Sequence, residues 1–175
     1  MRLRLNISDV DFQLKINNWK KACSEDEWDD NWCNVELSLK SSYLNYNPSG
    51  ELLLSYEVLH LMDLLRALIN ESLDDDCEVK FIEPDLEIDL HIAKRLFDTP
   101  GKIAFKNGYM DVDISANIII NFLCSEGLGG NSLKMTILRE EIEAIYTYLR
   151  YVVGELTEDD PQICELVDKG LLLRN

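Results

Sequence analysis

The chain has no C-x-x-C pair, only two histidines, and 17 Lys+Arg against 33 Asp+Glu. It also has no apolar stretch near the ~20 residues that a membrane span requires; the longest runs resemble Ile118–Ile120. Its first residues, MRLRLNISDVDF, carry two arginines without the apolar stretch of a secretory signal. A soluble chain that stays in the cytoplasm is therefore expected.

Each scarcity removes a class of function. Cys23, Cys33, Cys77, Cys124 and Cys164 are odd in number and widely spaced, which fits neither a disulfide framework nor a zinc cluster. Cys33 and Cys77 fall on the apolar phase of alternating segments, where a free cysteine acts as a small hydrophobe. His60 lies on the polar side of a helical pattern and His91 on the wet phase of a strand, with no G-x-S-x-G or Cys–His signature beside them. A nucleophile without an activating base is inert, so no catalytic residue is expected. Gly127–Ser132 lacks the lysine of a phosphate loop and leads into a strand, which reads as a hairpin connection. Asp26–Asn31 has Trp28 where a calcium loop places an oxygen ligand, and it lacks the glycine. Neither a cofactor nor a metal is expected. A glycosidase-type carboxylate pair stays open, because its test is a distance in space.

Carboxylates are what the chain does have. The formal net charge is −16 over 175 residues, a surface that repels nucleic-acid backbones and anionic lipids and attracts a basic protein. The acidic runs are Glu25–Asp30 (EDEWDD), Asp74–Asp76 and Glu158–Asp160. Hydrophobic residues make up 46% and charged residues 29%, a globular composition sized for one domain over 1–175. Residues 1–154 form the expected core, and 155–175 an extension with a short helix.

Strict alternation marks strands with one buried and one wet face. It recurs at Leu3–Ile7, Val10–Asn17, Cys33–Lys40, Cys77–Phe81, Leu86–Ile92, Val112–Phe122 and Leu133–Ile137. Two segments switch to a period of 3.6. In Ser55–Asn70 the stripe is Val58, Leu61, Met62, Leu65, Leu68 and Ile69, with Ser55 as the expected N-cap. In Leu138–Val153 it is Leu138, Ile142, Ile145, Tyr146, Leu149, Val152 and Val153, with Gly154 placed to end the helix. Pro161–Lys169 reads as a third, short helix. The expected fold class is α+β: a mainly antiparallel sheet of about seven strands with two amphipathic helices packed on one face. The order, strands then helix twice over, suggests a worn duplication. The other sheet face would carry Glu36, Glu78, Glu87, Asp89, Asp111 and Asp113 as one broad acidic surface.

Two local patterns resemble a known family. One is WDDNWCNVELSLK (Trp28–Lys40) preceded by DFQLKINNW (Asp11–Trp19); the other is EVKFIEPDLEIDL (Glu78–Leu90), with Glu83-Pro84 between two strands. With the helix between them they resemble the WapI-type immunity proteins, over roughly Asp11–Val153. The resemblance implies a small bacterial cytoplasmic protein that binds the toxic C-terminal domain of a cognate polymorphic toxin, often a nuclease. No binding residue is carried over from the family.

Charge and resemblance together point to a toxin inhibitor, not an enzyme, that works by protein–protein contact with a basic partner. The candidate contact residues are Glu25, Asp26, Glu27, Asp29 and Asp30, then Asp111 and Asp113. Tyr43, Tyr46 and Tyr109 lie near strand ends and are candidate anchors, with ordinary half-buried positions the alternative. Two other function classes stand beside this one: an acidic regulatory or adaptor module, and a carboxylate-based metal-dependent enzyme. Carboxylates converging in a deep pocket would favour the enzyme.

Overall fold

The computed structural model describes residues 1–21, 31–95, 111–122 and 131–174. Its first half is an antiparallel meander of β1 (Arg2–Ile7), β2 (Val10–Asn17) and β3 (Trp32–Lys40). Two further strands lie against β3: the short β4 (Asn45–Tyr46) and β5 (Ser49–Leu54). The register puts Leu5 opposite Phe12 and Leu14 opposite Leu37, so every apolar residue of the alternation reaches the same buried face. β5 runs without a loop into α1 (Ser55–Ile69).

Here the sequence reading needs one change. Ser55 is the first helical residue and not the N-cap, which is Leu54. Leucine has no side-chain acceptor for the first-turn amides, so only the other half of a capping box is made: Glu57 Oε2 accepts the Leu54 N–H at 2.8 Å. At its C-terminus the helix closes through Glu71 in the left-handed region, φ 54°, with Ser72 N bonded back to Ala67 O.

The second half repeats the plan. Strands β6 (Cys77–Lys80) and β7 (Leu86–His91) are joined by the turn carrying Glu83-Pro84, as expected. A small two-stranded ladder follows, β8 (Lys94–Arg95) with β9 (Asp111–Val112). Then come β10 (Ser115–Asn121), β11 (Ser132–Leu138) and α2 (Arg139–Val152), giving a sheet ordered β11-β10-β7-β6. Again the last strand runs straight into the helix, and again the third helical residue closes back: Glu141 Oε2 accepts Leu138 N–H at 3.0 Å. Val58, Leu61 and Leu65 stand in the same relation to Glu57 as Ile142, Ile145 and Leu149 do to Glu141, and all six are buried. The two halves therefore share a strands-then-helix order.

The α+β class is as expected, mostly sheet, but the strands form two main antiparallel sheets instead of one. The first has six strands and the second four. α1 and α2 pack against each other, and one hydrophobic cluster joins both helices to both sheets. A void of about 20 Å³ shows this: it is lined by Phe12 and Leu14 of β2, Leu61 of α1, Ile88 of β7, Ile118 of β10 and Leu149 of α2.

The C-terminal residues are not an appendage. Gly154, at φ 82°, ends α2 in the left-handed turn expected of it. After it come α3 (Pro161–Asp168), capped by the Asp160 side chain, and β12 (Leu172–Leu173), which pairs with β1 and completes the six-stranded sheet. Ile163 and Leu172 are as buried as the central strands, at 0% and 1% exposure.

Candidate partner-binding surface

Glu25, Asp26, Glu27, Asp29 and Asp30 lie outside the described residues. The residues that flank this acidic segment are described, and both ends are tied to one point. On the entering side, Trp19 Nε1 donates to Ser55 O at 3.2 Å and Lys20 N to Ser55 Oγ at 3.5 Å. On the leaving side, Ser55 N donates to Asn31 O at 2.8 Å. Ser55 is buried at the start of α1, so Trp19, Lys20 and Asn31 are all tied to that helix N-terminus. The serine expected to cap the helix instead serves this junction, and its hydroxyl also meets Cys33 Sγ at 3.7 Å.

Asp111 stands opposite Arg95 in the β8–β9 ladder. Asp113 is exposed, but its carboxylate is already engaged. Arg139, the first residue of α2, donates from Nη2 to Oδ1 at 2.7 Å and from Nε to Oδ2 at 2.9 Å. That guanidinium, together with the Ile114 amide at 2.8 Å, holds the Asp113 carboxyl below the usual carboxylate range. Arg139 also reaches Glu71 and the carbonyl of Ile69 at the end of α1. Asp113 thus belongs to a junction between the two helices.

The broad acidic face expected from the alternation does not exist as one surface. Glu36 lies on the first sheet, bonded to Arg2 at 2.7 Å and to Asn17 at 3.0 Å, with Lys15 at 3.8 Å. On the second sheet Glu78 pairs with Lys80 at 3.1 Å and Asp89 with Lys134 at 2.9 Å, and Glu87 accepts from Asn121 at 2.6 Å. Alternation told which face these residues share; it could not tell which groups, on the same strand or on others, would bond them. Net acidity is therefore concentrated in loops and helix ends, including exposed Asp74, Asp75, Glu158 and Asp159.

A polar chain that sequence reasoning missed crosses the second sheet. Asp76 Oδ2 meets His91 Nδ1 at 3.3 Å, and His91 Nε2 meets Asn117 Nδ2 at 2.7 Å. Asn117 Oδ1 in turn accepts from Thr136 at 2.8 Å. Asn117 is buried and satisfied at both ends, which fixes the side chains of three strands in one arrangement. His60, by contrast, is exposed on α1. The only sequence signal for the chain was the shared off-phase position of His91, Asn117 and Thr136.

These arrangements fix charges and hydrogen-bonding groups on a stiff scaffold. Among the described residues, no three His, Cys, Asp or Glu side chains gather so as to hold a metal ion. A groove of about 420 Å³ between β2 and α2 is lined by Met1, Lys15, Asn17, Asn18, Trp19 and Tyr151 among others, with no carboxylate side chain among the described residues that line it. Among the same residues no helix is long and apolar enough to cross a membrane.

Comparison with curated proteins found no match, and neither did comparison with solved structures. A family model does match, and it covers residues 2–159, from β1 through α2 to the residues before α3. That span takes in both sheets except β12 and both of the long helices. On this match the chain belongs to the immunity protein WapI-like family.

Proposed function

We propose that this chain works in the cytoplasm by neutralising a cognate toxin domain, a nuclease with a cationic surface, through direct contact and without turnover. Membership in an immunity protein family over residues 2–159 is the observation that carries this reading. The net charge of −16 supplies its physics. A nuclease holds a phosphate backbone with lysines and arginines, and an inhibitor rich in carboxylates is attracted to the same groups. Such attraction raises association rates by roughly 10 to 1000-fold at low salt. Glu25, Asp26, Glu27, Asp29 and Asp30 are the proposed steering residues, because this segment concentrates five carboxylates without a cation. Asp111 and Asp113 are secondary.

The test begins with gene order: a large secreted protein should be encoded immediately upstream, and its C-terminal domain is co-expressed with this chain, followed by stopped-flow association with the inactivated domain. The chain should restore growth. Lysine at 25, 26, 29 and 30 should slow association and flatten its salt dependence. If growth is not restored, the immunity reading fails. If it is restored but association is unchanged in that variant, the reading survives and the acidic segment is not what steers.

A further inference from the structure

Four large apolar side chains are exposed among the described residues: Tyr43 (95%), Tyr56 (45%), Ile82 (46%) and Leu138 (62%). Scattered singly, such residues carry no message; gathered, they mark a contact surface. Two of the four, Tyr56 and Ile82, lie on segments that meet along the seam between the two halves. Ile82 is tied to the start of α1 by its amide, which donates to Glu57 Oε1 at 2.8 Å beside Tyr56. The far end of the same turn is tied to β10: Asn121 N donates to Asp85 O at 2.9 Å and Asn121 Nδ2 to Pro84 O at 2.6 Å. The next residue, Phe122, meets Tyr46 edge-on at 4.9 Å. Tyr46 follows the turn that carries Tyr43, and burial together with the charge of Asp85 pushes its phenol up.

The charge along this seam has one sign. Segments 41–48, 54–57 and 81–85 contain no lysine or arginine and contribute Glu83 and Asp85 at the surface. Lys80, just before the turn, is bonded to Glu78 at 3.1 Å. Trp19 and Asn31 both bond Ser55, the residue before Tyr56.

We infer that this seam is the high-affinity part of the toxin-binding surface: Tyr56 and Ile82, flanked by Glu83 and Asp85, seat an apolar or aromatic side chain of the cationic domain between lysines or arginines. The inference rests on the immunity reading and assigns affinity to residues outside the acidic segment. The physical reason is a division of labour. Distant carboxylates change how often the partners meet, whereas a few rigid, desolvated apolar contacts set how long they stay. Glu57 grips both the helix start and the Ile82 amide, so the backbone that carries the two side chains is held in place before any partner arrives.

The probe is the inactivated C-terminal domain of the upstream secreted protein, immobilised, with the full chain in solution. Tyr56→Ala combined with Ile82→Ser should raise the dissociation rate on the order of 30-fold, as for loss of two central contacts, with association nearly unchanged. Hydrogen exchange on the unmutated complex is the check that needs no variant: amides 55–58 and those of Ile82, Glu83 and Asp85 should exchange more slowly than in the free chain. A tight wild-type complex with unchanged dissociation in the double variant, or without protection at Ile82, Glu83 and Asp85, overturns the seam and leaves the immunity reading standing. Protection of those amides in the chain alone at rising concentration assigns the seam to a second copy and also overturns it. A wild-type chain that neither binds nor rescues overturns both.

Discussion

Glu57 Oε1 accepts the backbone N–H of Ile82 at 2.8 Å, joining the start of α1 to the β6–β7 turn of the other half of the molecule. Its second oxygen accepts Leu54 N at the same distance. The converse link is made by α2: the buried Tyr148 hydroxyl accepts the N–H of Ile16, on β2, at 2.8 Å. Each helix thus satisfies a backbone amide on the half it does not come from, so the two halves are braced in both directions. Four measurements follow from these bonds and their neighbours.

Glu57 is buried, so Glu57→Ala leaves two amides without an acceptor. At roughly 1–3 kcal/mol for each unsatisfied group, stability should fall by about 2–5 kcal/mol, read from urea unfolding. Glu141→Ala removes a single exposed bond of the same kind and should cost only about 0.5–1 kcal/mol. Equal losses at the two sites would refute the brace.

Tyr148→Phe strips the acceptor from Ile16 and should cost roughly 1–2 kcal/mol near neutral pH. It should also change the alkaline limb of stability. Burial pushes the Tyr148 phenol well above its ordinary value. In the unfolded chain it ionises near about pH 10. Above that pH the unfolded chain has lost a proton that the native state retains, so unfolding becomes easier as pH rises. The wild type should therefore lose stability above about pH 10 more steeply than Tyr148→Phe, in urea titrations at a series of pH values. Tyr46, Tyr56 and Tyr151 are raised as well, so the variant should show a shallower decline and not a flat one.

Arg139→Gln removes the partner that holds the Asp113 carboxyl low. A carbon-detected titration should find that carboxyl titrating at higher pH in the variant. The native pair stabilises above the unfolded carboxylate pKa, and the effect is lost as pH falls through the depressed native one. Because the pair is exposed, the stability change should stay within about 1 kcal/mol. The same geometry ranks the proposed contact residues: Asp113→Asn should alter toxin association far less than reversal at Glu25, Asp26, Asp29 and Asp30.

A chain ended at Asp159, where the family match stops, loses the burial of Ile163 and Leu172 and the pairing of β12 with β1. At roughly 1.5–3 kcal/mol for each buried aliphatic side chain, stability should fall by about 3–6 kcal/mol. Unchanged urea unfolding would mean that residues 160–175 stand apart from the core.

Much of the fold was legible because burial imposes a period on the sequence. Val10–Asn17, Cys33–Lys40 and Leu86–Ile92 alternate, and they became β2, β3 and β7 within a residue at either end. β5 was not legible: Leu52, Leu53 and Leu54 follow one another without alternation, because the strand enters the core just before it becomes a helix. β4, β8 and β12 have two residues each, too short for any period to register. The run Val112–Phe122 read as one strand, and the structure breaks it after Val112, before Asp113 and Ile114. Of the candidate site, the acidic segment and the tyrosines were visible as composition. Tyr109 and the five carboxylates of 25–30 lie outside the described residues.

The sequence by itself determined the class of the fold, the two long helices, the buried phase of each strand and the surplus of negative charge. These follow from local periodicity and residue counts, which are properties of the chain read in one dimension. Only the tertiary structure decided that the strands divide into two sheets, that Arg2, Lys134 and Arg139 stand across from Glu36, Asp89 and Asp113, and that Tyr56 and Ile82 share a seam through Glu57. Alternation fixes which face a residue occupies and says nothing about which strand lies beside it. Charge pairing and surface patches depend on that second fact.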